Sequence, residues 1–133
     1  MIASLSKSET RQAAEARAKD FRRLLLLVLV VEGMLGLLAM VCPTWVLGDV
    51  NETSRLGGAL LLSFAIMHVP ALLQAELYRL AIVLGVIARI LIALTALFLT
   101  AGFNFFALIE MVFAVTLYVG FRTMVIAVLQ ARP

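Results

Sequence analysis

Reactive and polar residues are scarce in this sequence. Its 133 residues contain one cysteine, one histidine and three prolines, and charged residues make up 14% of the chain. The single cysteine, Cys42, excludes a disulfide bond within the chain and a metal site built from several cysteines. The sequence also contains no phosphate-binding loop, no zinc signature and no motif that places a nucleophile beside a base. We therefore expect neither a bound metal nor a self-contained enzyme.

Apolar residues account for 64% of the chain, and the mean hydropathy is +1.10. A soluble domain is usually about half apolar, so this composition is typical of an integral membrane protein. Four apolar segments are long enough to cross a bilayer as helices. They are Leu24–Val41, Leu56–Leu73, Leu80–Thr100 and Phe105–Val128. The sequence predicts an all-α fold in which residues 22–133 form an integral membrane four-helix bundle.

Residues 1–21 precede the first span and are polar and rich in alanine. Ser6 and Glu9 have the spacing of a capping box, and Glu15 lies four residues before Lys19, an arrangement that stabilises a helix. We predict a short, basic, cytosolic helix that leads into the membrane. Its basic residues act as a topology signal or, alternatively, contact anionic lipids or a partner protein.

Lys and Arg residues flank the predicted spans. Four spans place both termini on one side of the membrane, and nine of the eleven Lys and Arg residues fall on that side, whereas Arg55 falls on the other. The positive-inside rule then predicts cytoplasmic termini, and we expect the protein in a bacterial inner membrane. Because topology explains these charges, the net charge of +3 does not indicate nucleic-acid binding. The nine residues are Lys7, Arg11, Arg17, Lys19, Arg22, Arg23, Arg79, Arg122 and Arg132.

Three charged residues interrupt the apolar spans. Glu32 lies ten residues after Arg22, and Arg89 lies ten residues after Arg79, where Arg22 and Arg79 mark the predicted cytoplasmic boundary. Ten residues of helix correspond to a depth of about 15 Å. Glu110 lies twelve residues from that boundary, or about 18 Å. The three side chains therefore occupy one level of the membrane. Ionisable residues at such depth are costly and usually functional.

Helical spacing predicts that these three residues face one another. Each shares a helix face with small residues, which mark packing faces in membrane proteins. We expect Arg89 to pair with Glu32, with Glu110 or with both, and one carboxylate to hold a proton because two acids face one cation. The alternative is a structural ion cluster that only specifies how the helices assemble. The small residues are Gly36 and Ala39 beside Glu32, Gly85, Ala93, Ala96 and Thr100 beside Arg89, and Ala107 and Ala114 beside Glu110.

The only histidine lies at a predicted bend in the second span. In the sequence His68-Val69-Pro70, proline removes a backbone donor and frees a carbonyl one turn back. His68 is a candidate for ligand binding or proton relay, at a depth of about 9 Å. Haem bound through two histidines would need a second copy or a partner, and pairing with Met34 or Met111 is only weakly signalled, so we do not expect haem.

Two short motifs resemble those of a known family. Glu32-Gly33-x-Leu35-Gly36, which is followed by Pro43, and Arg55-x-Gly57-Gly58-Ala59, together with an acidic residue in the last span, resemble the pattern of DoxX-like small four-helix membrane proteins. This resemblance covers roughly residues 24–120. It implies a four-helix bundle, and some family members are membrane subunits of quinone-linked oxidoreductases, for example in thiosulfate oxidation. The residues that it would carry over are Glu32, Arg55 and Glu110.

These observations lead to three hypotheses about function. The first is a non-catalytic membrane subunit or binding protein that holds a lipid- or quinone-like ligand near Glu32, Arg89 and Glu110, with His68 and Arg55 as further candidates. Such a protein would act as an oligomer or beside a larger membrane partner, for example as an accessory subunit of an oxidoreductase. The second is a proton-coupled small transporter or exporter that acts as an oligomer. The third is a structural assembly or anchoring subunit of a larger complex.

Overall fold

The computed structural model describes residues 7–42, 44, 52–75, 77–99 and 105–131, and these residues form helices and short turns without a strand. The predicted all-α fold is therefore confirmed. Four helical segments are long and apolar enough to cross a membrane, as the sequence predicted. In chain order the helices are α1 (Lys7–Val41), α2 (Glu52–Met67), α3 (Val69–Leu73), α4 (Arg79–Leu99) and α5 (Phe105–Ala131).

The first helix extends through two predicted segments. We expected a short helix over residues 1–21 that leads into the first span, and from Lys7 to Val41 the two form one unbroken helix of 35 residues. No glycine or proline occurs between Lys7 and Gly33 to end it. Phe21, at the predicted boundary, is buried and packs against Phe121 on α5, with ring centroids 5.9 Å apart. The described part of the basic segment thus continues the first span and packs with the end of α5.

The long helices pack along three edges and leave a fourth edge loose. Helix α1 packs closely against α2 on one side and α5 on the other, and α5 also packs against α4. Among the described residues, α2 and α4 do not pack closely together, whereas the short helix α3 packs against α4. The bundle therefore has an open edge between α2 and α4.

Two glycines allow the close approach of α1 and α2. A Cβ atom on Gly36 would lie 2.8 Å from the backbone nitrogen of Leu62. A Cβ atom on Gly58 would lie 2.8 Å from the carbonyl oxygen of Gly36. Both separations are shorter than real Cβ contacts, so only glycine fits at these positions. Small residues of this kind let membrane helices meet backbone to backbone.

Replacing Gly36 with alanine is expected to lower the free energy of unfolding by roughly 1–3 kcal/mol, because the added methyl group overlaps backbone atoms that cannot rotate away. Thermal unfolding of the purified protein in detergent would measure this effect. Gly33→Ala is the matched control, since a Cβ atom there meets nothing within 4 Å. Its unfolding temperature should stay the same or rise. Equal unfolding temperatures for Gly36→Ala and Gly33→Ala would contradict the close packing of α1 and α2.

The predicted bend beside His68 is confirmed. Helix α2 ends at Met67, and α3 begins at Val69, with proline in its first turn. The His68 amide donates to the carbonyl of Ala65, three residues back, at 3.1 Å, instead of continuing the α-helical pattern. The carbonyl of Phe64 is thereby released from its usual backbone partner, and this places a polar acceptor inside the apolar segment.

Candidate functional site

Glu32, Arg89 and Glu110 come together inside the protein, where we call them the charged cluster. They lie on α1, α4 and α5, and all three are 0% exposed. Nη2 of Arg89 donates to Oε2 of Glu32 at 2.5 Å. Nε of Arg89 lies 3.9 Å from Oε2 of Glu110, which is an ion pair but too long for a hydrogen bond. The prediction that Arg89 pairs with one or both acids is confirmed, and the two pairs are unequal.

Several polar atoms of the charged cluster lack a hydrogen-bond partner. Within the described part of the chain, Oε1 of Glu32, Nε of Arg89 and both carboxylate oxygens of Glu110 are buried without one. A buried polar group without a partner costs free energy, and in native proteins it usually has a water or a bound molecule as its partner. The charged cluster is therefore incompletely satisfied by the protein's own described groups, and Glu110 is the least satisfied member.

Two further contacts fix the position of the Arg89 guanidinium. Nη1 donates to the carbonyl oxygen of Gly85, one turn earlier on α4, at 3.2 Å. The guanidinium carbon lies 5.1 Å from the centre of the Phe64 ring on α2, within the range of a cation–π interaction. Arg89 thus connects α1, α2 and α4 at one level, and it does so across the open edge between α2 and α4.

The small residues that share faces with the charged cluster are buried, as predicted. Ala39 and Ala93 are 0% exposed, and Ala107 and Ala114 are 1% exposed. Gly36 and Gly85 are also buried, and Ala96 is half-buried. Thr100 lies outside the described residues. Small side chains at these positions let the helices approach closely enough for one arginine to reach two neighbours.

His68 bridges α2 and α4 but does not contact the carboxylates. It is buried, with Nδ1 2.8 Å from the Phe64 carbonyl oxygen and Nε2 3.2 Å from the Ala81 carbonyl oxygen. A neutral imidazole has one N–H and donates to one of these carbonyls, whereas a doubly protonated ring donates to both. The ring also meets Phe64 edge-on, with centroids 4.7 Å apart. His68 is therefore linked to Arg89 through Phe64 and the α4 backbone.

Gly85 is the residue that lets His68 reach α4, because a Cβ atom there would overlap the imidazole ring. Gly85→Ala should therefore displace the ring from the Ala81 carbonyl. The imidazole 15N chemical shifts measure this directly, since the chain has a single histidine. Gly57→Ala is the control because a Cβ atom there meets nothing within 4 Å. Unchanged shifts in Gly85→Ala would contradict the placement of His68.

A cleft, which we call the α2–α4 cleft, opens beside the charged cluster at the loose edge between α2 and α4. It has a volume of about 350 Å³, a size typical of small-molecule sites, and its lining is almost entirely apolar. Phe64 belongs to both places, because it lines the cleft and lies over the Arg89 guanidinium. The lining residues are Gly57, Leu60, Leu61, Phe64, Ala88, Ile92 and Phe106.

Of the residues that line the cleft, the sequence analysis singled out only Gly57, as part of a motif. Phe64 lies four residues before His68, and Phe106 lies four residues before Glu110, so each aromatic residue shares a helix face with a buried ionisable residue. Ala88 directly precedes Arg89. An aromatic residue one turn from a buried ionisable residue is a signal that could have found Phe64 and Phe106.

Other candidates lie outside the charged cluster. Arg55 is exposed near the start of α2, three residues before Gly58, which packs against α1 at Met40. Met40 lies eight residues beyond Glu32, or about 12 Å along the helix. Met34, the weakly signalled partner of His68, is 59% exposed, whereas His68 is buried. Within the described stretches of residues 7–131, no three His, Cys, Asp or Glu side chains are grouped so that they could bind a metal ion.

The fold and the site define a class: a small helical membrane protein with an incompletely paired charged cluster beside an apolar cleft. No protein-family model matches this chain, and no similar protein was found among curated proteins or solved structures.

Proposed function

We propose that this protein is a non-catalytic membrane protein that binds a lipid- or quinone-like molecule in the α2–α4 cleft, beside the charged cluster. The observation that supports this proposal is the direct contact between two environments. An apolar space of about 350 Å³ ends at Phe64, and behind Phe64 lies a group of buried polar atoms without partners among the described residues. An amphipathic ligand fills the first with its tail and satisfies the second with its head group.

The cellular setting is part of this proposal. The distribution of Lys and Arg residues supports cytoplasmic termini and a location in a bacterial inner membrane. The resemblance to DoxX-like proteins supports a role as an accessory subunit of a membrane oxidoreductase, either as an oligomer or beside a larger partner. In that role the ligand is quinone-like. If the protein is not a subunit of an oxidoreductase, the same site binds a membrane lipid.

Photo-cross-linking tests whether the α2–α4 cleft is occupied in the membrane. Benzoylphenylalanine at Ile92 places the photoreactive group in the cleft, whereas the same residue at Leu91 places it on the exposed face of α4. The proposal predicts one defined small-molecule adduct at position 92 and a mixture of bulk lipids at position 91. The same mixture at both positions would contradict it.

A second function, proton-coupled transport by an oligomer, is favoured by one observation. Glu110 is fully buried and neither carboxylate oxygen has a hydrogen-bond partner among the described residues, so a proton taken up there would not be held in a fixed hydrogen bond. Reconstituted vesicles test this alternative. Proton-linked flux that is lost in Glu110→Gln would support transport, and flux that survives both Glu110→Gln and Glu32→Gln would rule it out.

A third function, structural assembly, is favoured by the position of Arg89. It joins α1 and α4, which do not pack closely against each other in the described residues, through its bond to Glu32. On this view the charged cluster only holds helices in register. Neutralising all three charged residues at once separates this role from ligand binding, because a purely structural cluster can be replaced by uncharged side chains without loss of the ligand.

A further inference from the structure

The charged cluster restricts the chemistry of the head group that it can bind. Nε of Arg89 is a buried donor, and Oε2 of Glu110 lies 3.9 Å away across a short gap; neither atom has a hydrogen-bond partner among the described residues. An oxygen atom placed to the side of this gap can lie about 2.8 Å from both atoms, at hydrogen-bond distance. The group in the gap must accept a hydrogen bond from Arg89.

Glu110 sets the second requirement. An ionised carboxylate accepts hydrogen bonds only, so the ligand must donate to it, whereas a protonated carboxyl group also donates. A carbonyl or ether oxygen satisfies Arg89 and only the protonated form of Glu110. A hydroxyl group accepts from Arg89 and pairs with Glu110 in either protonation state, because it is both a donor and an acceptor.

Charge excludes the other head groups. An anionic phosphate would meet Glu32 and Glu110 as well as Arg89, and a quaternary ammonium would face the Arg89 guanidinium without any hydrogen to donate. Oε2 of Glu32 already accepts from Arg89 at 2.5 Å, so the charge of Arg89 is matched within the protein. A neutral head group leaves that balance undisturbed.

Two residues that line the α2–α4 cleft are close in the chain to Arg89 and Glu110. Ala88 in its wall is adjacent to Arg89, and Phe106 lies one turn before Glu110 on α5. The lining is almost wholly apolar, so it suits a hydrocarbon tail. The Phe64 ring lies between the two and must move aside for a head group to pass.

We propose that the site binds a neutral, hydroxyl-bearing amphiphile, such as a long-chain alcohol or an acylglycerol, whose hydroxyl bridges Arg89 Nε and Glu110 while its tail occupies the α2–α4 cleft. This inference rests on the proposed ligand-binding function and specifies the chemistry of the ligand.

Equilibrium binding of three radiolabelled probes with the same tail tests the head group. The probes are 1-dodecanol, dodecyl methyl ether and dodecyltrimethylammonium, offered to delipidated full-length protein in detergent. At a pH high enough to ionise Glu110, dodecanol should bind at least about tenfold more tightly than either of the others, because neither the ether nor the quaternary ammonium has a hydrogen to donate to the carboxylate. Equal affinities for the three would show that the head group is not recognised, or that water alone fills the gap, and would overturn the inference.

Two substitutions of Glu110 sharpen this test. Glu110→Gln keeps a donor and an acceptor, so dodecanol affinity should change by no more than a few-fold, whereas Glu110→Leu should reduce it about tenfold or more. Equal effects of the two substitutions would contradict the bridging hydroxyl. The cleft-filling substitution Ala88→Phe separates the two levels of the proposal. If Ala88→Phe does not change the affinity for any probe, the proposed binding function itself fails. If it abolishes binding of all three probes, and the unchanged protein binds the three equally, the binding function stands and only the inference about the hydroxyl head group fails.

Discussion

Arg89→Met is expected to lower the free energy of unfolding by about 3–5 kcal/mol, more than the loss expected for Gly36→Ala, because it leaves two buried acids without a cation. Glu32 loses the bond from Nη2, and Glu110 loses its only ion-pair partner among the described residues. Methionine is similar in length and apolar, so little packing is lost. Steric trapping or thermal unfolding in lipid discs would measure the loss.

The triple substitution Arg89→Met, Glu32→Gln, Glu110→Gln is the control that separates stability from binding. It removes the cation and both acids together, so no uncompensated charge remains, and much of the lost stability should return. Ligand binding should not return, because the donor from Arg89 is gone. A triple variant that folds and also keeps its ligand would favour the purely structural role of the charged cluster.

Ala88→Phe is expected to abolish ligand occupancy, with at least a roughly tenfold loss of affinity, while the protein remains folded. The added ring enters the α2–α4 cleft, which is free of protein atoms, so it displaces a ligand tail rather than the helices. The change does not touch the charged atoms of the cluster. The measurement is the fraction of extracted protein that carries the molecule cross-linked at position 92, determined by native mass spectrometry.

The matched control for this substitution is Leu91→Phe, which adds an aromatic ring on the same helix. Leu91 is 59% exposed and does not line the cleft, so ligand occupancy should be unchanged. If Leu91→Phe and Ala88→Phe reduce occupancy equally, the ligand is bound elsewhere on α4.

The level and the facing of the charged residues were predictable from the sequence. Counting residues from the predicted cytoplasmic boundary placed Glu32, Arg89 and Glu110 at one level, since the rise of a helix is constant. The small residues one turn away indicated the packing face, and their burial confirms it. The proline after His68 also predicted the break between α2 and α3, because proline removes the donor that a continuous helix requires.

The unequal pairing and the cleft were not predictable, because they depend on the positions of whole helices. Sequence spacing cannot show that Arg89 approaches Glu32 to 2.5 Å but Glu110 only to 3.9 Å. Nor can it show that α2 and α4 stay apart while Gly36 and Gly58 draw α1 and α2 together. In the sequence, Phe64 is not distinguished from the other apolar residues of its span. Its place between the α2–α4 cleft and the charged cluster depends on contacts with other helices.

The continuity of α1 was not predicted, for a related reason. The change from polar to apolar residues near Phe21 marks the predicted membrane boundary, but it does not end a helix. Contact with α5 extends past that boundary, because Phe21 packs on Phe121. A helix end is indicated more reliably by glycine or proline, and neither occurs between Lys7 and Gly33.

Native mass spectrometry of the protein released directly from its membrane tests the central claim most directly, namely that a small molecule occupies the α2–α4 cleft against the charged cluster. Our account predicts a defined mass adduct of one molecule per chain in the unchanged protein and in Leu91→Phe, and its loss in Ala88→Phe and in the folded triple variant. An adduct-free protein, or an adduct that persists in Ala88→Phe, would contradict the account.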